Sequence, residues 1–314
     1  MRILIFRPGA LGDALLTFPI LRALKAQQPD IHITFVSNPA VLPLALVCGV
    51  ADDVADFGDA LWTELFSNEG ISTPNLQQVF QETELAMCWL NDRDGLVEQN
   101  IRRVGTKQLI VAPSRPPSEQ RMHIVEYLAQ TIHLTLPESI SELAPFALHE
   151  TLMRRFEPSA PLMISGLENF PIAIHPGSGG AFKCWPSTSF AQLIGRLWQH
   201  RYPVLLLSGP ADTGRVQKIV HSLPSIQQPD MLTHLEHAPL LEVAQALTQC
   251  RYYVGNDSGI THLASLLGVP TTALFGPSDP GVWRPVGASV QVIYEPNLER
   301  LMGDEVLRSI LRAM

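Results

Sequence analysis

No two cysteines in this sequence are spaced as C-x-x-C; Cys48, Cys88, Cys184 and Cys250 stand singly. That excludes a zinc ribbon and a disulfide framework, and it fits a reducing compartment. Positive charge is also scarce, with 22 Lys and Arg against 30 Asp and Glu and a net charge of -8. Such a balance argues against non-specific binding to a nucleic-acid backbone, which is held by clustered Lys and Arg. Long apolar runs are missing as well. The stretch from Val41 to Ala51 is interrupted by Pro43 and falls well short of the roughly 20 residues that cross a bilayer. Met1-Arg2-Ile3-Leu4-Ile5-Phe6 gives way at once to Arg7-Pro8-Gly9, too short a run for a signal-peptide core. The expectation is a cytoplasmic protein whose contact with a membrane, at its inner face, is peripheral.

What is present is enough apolar material for a large interior: 46% of the 314 residues are hydrophobic and only 17% are charged. That length is about twice a single α/β domain, so two domains are expected. Short apolar runs give way to Gly/Pro/Asp turns and then to segments with helical spacing, the pattern of a parallel sheet wrapped by helices. Arg2–Phe6, Ile31–Val36, Leu85–Trp89 and Gln108–Val111 read as strands of a first series. Ala14–Gln28 reads as a helix that Pro19 kinks or restarts. The Pro-punctuated Phe156-Glu157-Pro158-Ser159-Ala160-Pro161 reads as a linker, giving domains 1–157 and 158–314. A second series follows with strands Ile172–His175, Pro203–Ser208, Tyr252–Gly255 and Thr271–Phe275, and a helix at Ser187–Gln199. Asn297–Met314 has helical periodicity and is expected to be free to return to the N-terminal domain. Two doubly wound domains put ligands at the carboxyl ends of their strands, towards a shared cleft.

Three strand-to-helix turns carry the chemistry. Arg7-Pro8-Gly9-Ala10-Leu11-Gly12-Asp13 has two glycines ahead of a helix N-terminus, a place that favours anions. Its G-x-x-G falls short of the dinucleotide fingerprint, so NAD is a weak reading. Asp13 at such a turn can take a proton from a hydroxyl that attacks, or it can simply cap the helix. The second turn is His175-Pro176-Gly177-Ser178-Gly179-Gly180-Ala181-Phe182-Lys183-Cys184-Trp185-Pro186. A glycine loop followed by one Lys can wrap a pyrophosphate and set an ammonium on the leaving charge. It lacks the GK[ST] ending of a Walker loop, and Lys183 is otherwise an ordinary solvated lysine. The third is Gly255-Asn256-Asp257-Ser258-Gly259-Ile260-Thr261-His262. There Ser258 and Gly259 would offer helix N-terminal N–H groups to a phosphate, with His262 about one turn on. Asp257 would orient a ligand hydroxyl or cap the helix.

Two further features are weighed against these. Asp92-Arg93-Asp94 spells D-x-D, the motif that holds a divalent ion in metal-dependent glycosyltransferases, but it sits away from the phosphate-like turns and reads as a solvated loop. Arg93, Arg102, Arg103, Lys107, Arg115 and Arg121 could form a basic acceptor face, or a solvated surface partly neutralised by Glu98 and Glu119.

Taken in order, R-x-G-A-L-G-D with L-L-T-F-P-I-L-R-A-L-K, then H-P-G-S with K-x-W-P, then G-N-D-S-G-I-T-H-L-A and F-G-P-S-D-P, the chain resembles family nine glycosyltransferases. This is the ADP-heptose:lipopolysaccharide heptosyltransferase family. The resemblance implies a GT-B fold, two Rossmann-like doubly wound domains facing a central cleft, with an acceptor-binding N-terminal domain and a nucleotide-sugar-binding C-terminal one. It implies an inverting transfer of heptose from ADP-heptose to a lipopolysaccharide core or related glycan, with no cofactor and no metal in donor binding. Asp13 then matches the catalytic base and Lys183 the phosphate-binding lysine. Gly12, Gly177, Ser178, Asp257, Ser258, Gly259 and His262 match substrate-binding positions, and Asp212 falls near the acidic position that contacts the ribose. Two rivals from other classes are a GT-B nucleotide-sugar epimerase, which needs no acceptor, and a nucleotide-sugar-binding protein that consumes no donor.

Overall fold

The computed structural model describes residues 1–136, 139–156, 170–223 and 231–314. These form two compact units, Met1–Ser139 with Leu148–Phe156, and Ile140–Ala147 with Glu157–Met314. The expected linker after Phe156, and with it the boundary at 157/158, lies outside the described residues. The segment Ile140–Ala147 is grouped with the second unit, where the Phe146 N–H donates to Leu266 O at 2.8 Å and the Gly287 N–H to Ile140 O at 2.9 Å.

In the first unit five strands, Arg2–Arg7 (β1), His32–Ser37 (β2), Asp53–Asp56 (β3), Leu85–Trp89 (β4) and Gln108–Ala112 (β5), form one sheet in the order β3-β2-β1-β4-β5. Every pairing is parallel, so each strand must be followed by a crossover, supplied mostly by helices. β1 is central and buried on both faces, which is why it reads as an unbroken apolar run rather than an alternating one. Its Phe6 packs edge-on against Trp62 in a core that also takes in Leu65, Phe80, Cys88 and Ile101. The expected helix 14–28 is two helices, Leu11–Leu15 and Phe18–Gln27. Pro19 lies at the start of the second, where its missing N–H has no intrahelical partner to lose.

The second unit repeats the plan with six strands: Ile172–His175 (β6), Val204–Ser208 (β7), Leu232–Glu236 (β8), Tyr252–Asn256 (β9), Thr271–Phe275 (β10) and Val290–Tyr294 (β11). Their order is β11-β10-β9-β6-β7-β8, again with parallel pairing throughout. This is the doubly wound arrangement in which strand order reverses beside the first strand of the unit. Helix Ser187–Gln199 buries Phe190, Leu193, Ile194 and Leu197 against the sheet. The closing helix Gly303–Ala313 buries Val306, Leu307 and Ile310 in the second unit's core.

Three strands, β3, β8 and β11, are not marked by the sequence pattern. All three lie at sheet edges and carry mostly exposed or half-buried residues, so they lack the continuous apolar run that marks a central parallel strand.

Candidate active site

In doubly wound sheets ligands collect beyond the strand carboxyl ends where the strand order reverses. In the first unit that point lies between β1 and β4, which pair directly. β1 ends at Arg7 and delivers the turn Pro8-Gly9-Ala10 into helix Leu11–Leu15, with Gly12 and Asp13 in its first turn. Gly9 has φ +136°, and a Cβ there would stand 3.1 Å from Asp13 Oδ2. Glycine therefore serves both the backbone conformation and the space for the carboxylate. Asp13 Oδ2 accepts from the Ala10 N–H at 3.2 Å, so capping is part of what this residue does. Its other oxygen, Oδ1, lies 3.4 Å from Nη2 of Arg7, a guanidinium with no exposed surface. The Asp13 side chain itself keeps 13% exposure.

In the second unit the reversal falls between β6 and β9, whose register sets His175 opposite Gly255. The two expected turns leave from these two strands, side by side. Asn256 clasps them together. Its Nδ2 donates to Pro176 O at 2.8 Å and its Oδ1 accepts from the Trp185 N–H at 2.9 Å, so one amide holds both ends of the loop 176–185. Trp185 fixes the far end, fully buried, with Nε1 donating to Leu301 O at 3.1 Å and its ring edge-on to Phe190. Ser178 Oγ donates to Asp257 O at 2.6 Å.

Within that frame Lys183 Nζ lies 2.9 Å from Asp257 Oδ2, and His262 Nε2 lies 3.9 Å from Asp257 Oδ1. Asp257 is 8% exposed and Lys183 32%, so this lysine is not a free surface side chain. The helix Gly259–Leu266 is capped by Ser258 rather than by Asp257, with Ser258 Oγ accepting from the Thr261 N–H. Asp257, with no capping bond of its own, has its carboxylate directed at a lysine. Gly259 opens the helix and is partly exposed.

His175 joins the third participant. Its Nε2 is 3.1 Å from Asp212 Oδ2 and its Nδ1 is 3.3 Å from Ser258 Oγ, all buried. Asp212 Oδ2 also accepts from the Gly209 N–H at 3.0 Å. Burial alone would raise the Asp212 pKa, but the hydrogen bond and charge of His175, the Gly209 N–H and Arg215 outweigh it and hold the carboxyl below its ordinary value. A Cβ on Gly177 would sit 2.0 Å from Asp212 Oδ1, so only glycine lets the loop pass this carboxylate. Asp212, expected near a ribose, thus has its polar contacts inside the loop scaffold.

The structure brings Gly177, Ser178, Lys183, Asp212, Asp257, Ser258, Gly259 and His262 around one switch point, and Gly12 with Asp13 around the other. Arg7, Asn256 and His175 are the participants that residue type alone did not assign to the sites. Asn256 stood inside a quoted motif but has no chemistry of its own to advertise it. Asp92 of the D-x-D accepts from the N–H groups of Val97 and Glu98 at 3.0 and 2.9 Å, which makes it a cap for helix Leu96–Arg103. Of the basic run, Arg102 pairs with Glu98 at 2.7 Å and Lys107 with Glu84 at 3.8 Å, so part of that face is self-neutralised.

The family model for "Glycosyltransferase family 9 (heptosyltransferase)" matches residues 117–303. Lipopolysaccharide heptosyltransferase 1 of Pseudomonas aeruginosa is 26% identical over 318 residues, covering 92% of this chain and 82% of that protein. Among solved structures, the E. coli ADP-heptose lps heptosyltransferase II aligns over 100% of this chain and 98% of its own, with TM-score 0.73 and 21% identity. E. coli heptosyltransferase WaaC with ADP aligns over 100% of both chains, with TM-score 0.72 and 18% identity. Those two likenesses carry the GT-B fold.

Proposed function

Because the chain belongs to glycosyltransferase family 9 (heptosyltransferase), we propose that its two sites divide one inverting sugar transfer between them, the second unit holding the donor and the first activating the acceptor. The observation that carries this reading is the cluster of Lys183, Asp257, Ser258 and His262 at the β6–β9 switch point. A helix N-terminus and an ammonium converge there, the combination that holds a diphosphate without a metal. Lys183 Nζ pairs with Asp257 Oδ2 at 2.9 Å. A donor diphosphate would draw the ammonium toward itself and free the Asp257 carboxylate to accept from sugar hydroxyls. Asp212 and His175 act as the scaffold under the loop.

Asp13 is the base. It deprotonates the acceptor hydroxyl as that oxygen attacks the anomeric carbon from the face opposite the nucleotide, and inversion follows. Lys183 and the N–H groups at Ser258 and Gly259 take up the charge that develops on the departing diphosphate. The heptosyltransferase relatives, one of them solved with ADP, support ADP-heptose as donor and a lipopolysaccharide core as acceptor. That transfer takes place in the cytoplasm at the inner face of the membrane.

Calorimetry with ADP, UDP, GDP and CMP, each with and without magnesium, tests this. Selective, magnesium-independent binding of ADP is expected, with donor consumed only when acceptor is added. Preference for another nucleotide would remove heptose. Donor conversion without acceptor would point to an epimerase, and absence of nucleotide binding would overturn the donor site.

A further inference from the structure

One buried charge of the first unit has no role in the chemistry so far. Arg7 ends β1 with no exposed surface, although it is a full guanidinium. Nη1 donates to Ser114 O at 2.8 Å, Nη2 faces Asp13 Oδ1 at 3.4 Å, and Nε is buried with no hydrogen-bond partner among the described residues. Burying an arginine this incompletely satisfied is costly unless a carboxylate offsets the charge. The carboxylate that faces it is Asp13. The other charged or titratable groups near Arg7 are Arg115, just after β5, and Tyr127 of helix Ile124–Thr131, whose hydroxyl donates to Pro113 O at 3.1 Å. Burial lowers the Arg7 pKa, Asp13 opposes that, Arg115 adds to it and Tyr127 opposes it.

The carboxylate is thereby held from two sides. Oδ1 faces the guanidinium and Oδ2 accepts from the Ala10 N–H, with Gly9 leaving room for it. A base meant to meet a hydroxyl at one angle gains from such fixing, because orientation lost from a reacting group is lost rate. We propose that Arg7 is a positioning residue for Asp13: it presents the carboxylate in one orientation while the acceptor hydroxyl approaches. This inference rests on the reading of Asp13 as the base.

The test compares kcat and KM for the wild type, Arg7→Lys and Arg7→Met, with Asp13→Ala as control. Arg7→Met leaves the carboxylate free to turn out of line, so its kcat should fall by about tenfold or more while KM for the donor changes little. Arg7→Lys keeps the charge but loses the planar fork, and its kcat should lie between the two. A wild-type kcat in Arg7→Met, with Asp13→Ala inactive, overturns the role of Arg7 and leaves the base in place. Turnover by Asp13→Ala overturns the base itself. Thermal unfolding supplies a second arm that needs no activity and covers the case in which Arg7→Met does not fold. Asp13→Asn should lower Tm by leaving the guanidinium without its counter-charge, and Arg7→Met/Asp13→Asn should recover part of that loss. A double variant no more stable than Asp13→Asn, or one that fails to fold, overturns the pairing.

Discussion

The two sites sit at equivalent points of two similar sheets, yet they are built in opposite ways. The first is sparse: one carboxylate, a backbone N–H and a single guanidinium behind it. The second is dense, with Asn256, Trp185, Ser178, His175 and Asp212 tying three turns together. A base must keep an oxygen accessible to a proton that moves, so few partners suit it. An anion site gains from donors already fixed, because they need no reorganisation when charge develops.

The sharpest way to break the comparison is at Asp13. Asp13→Ala should lower kcat by a factor of about 10²–10⁴ or more while the calorimetric dissociation constant for ADP changes little, since the carboxylate acts in the transition state. Equal losses in both would place Asp13 in donor binding. Lys183→Ala should do the reverse and weaken ADP binding by roughly 10–100-fold, the size of a charge-assisted hydrogen bond of about 1.5–3 kcal/mol. An unchanged titration would remove the lysine from the phosphate.

The scaffold of the second site offers a smaller effect. Gly177→Ala drives a Cβ into Asp212 Oδ1, 2.0 Å away, and should lower unfolding stability by about 1–3 kcal/mol, read as a fall in Tm with ADP affinity reduced alongside. A variant with wild-type Tm would mean the loop can yield. The smallest effect concerns pH. Asp212 is held below its ordinary pKa, so it contributes stability that is fully present above the unfolded carboxyl value of about 3.9 and is lost as pH falls through the lower folded value. Asp212→Asn should therefore be less stable than the wild type at pH 7 and show a shallower fall in Tm below about pH 4. Parallel curves would mean that His175 and Asp212 are not coupled in solution.

Much of this was legible in advance because the chemistry lies at the ends of central strands. β1, β6 and β9 are buried on both faces, which makes them apolar runs, and the Gly, Asp, Ser and Lys that follow each run stand out against it. The edge strands β3, β8 and β11 were not legible for the complementary reason: a half-exposed strand of four or five residues has little pattern to offer. Nor was the fate of Asp92. A D-x-D in sequence says nothing of whether its carboxylate points to an ion or to the N–H groups of the next helix, and here it caps.

The sequence by itself determined that the chain alternates strand and helix in two series, and which turns carry an anion-binding loop, a lysine and a lone carboxylate. These follow from local composition and spacing. Only the tertiary structure decided who meets whom. His175, Asp212 and Ser258 come from three separate turns, and Lys183 reaches Asp257 across 74 residues of chain. Asp13 faces a buried arginine that a linear reading treats as the last residue before a loop. Parallel pairing brings the turns of each unit to the carboxyl ends of that unit's strands. Register and burial then set which partner each charge receives, and neither property is written in any short stretch of sequence.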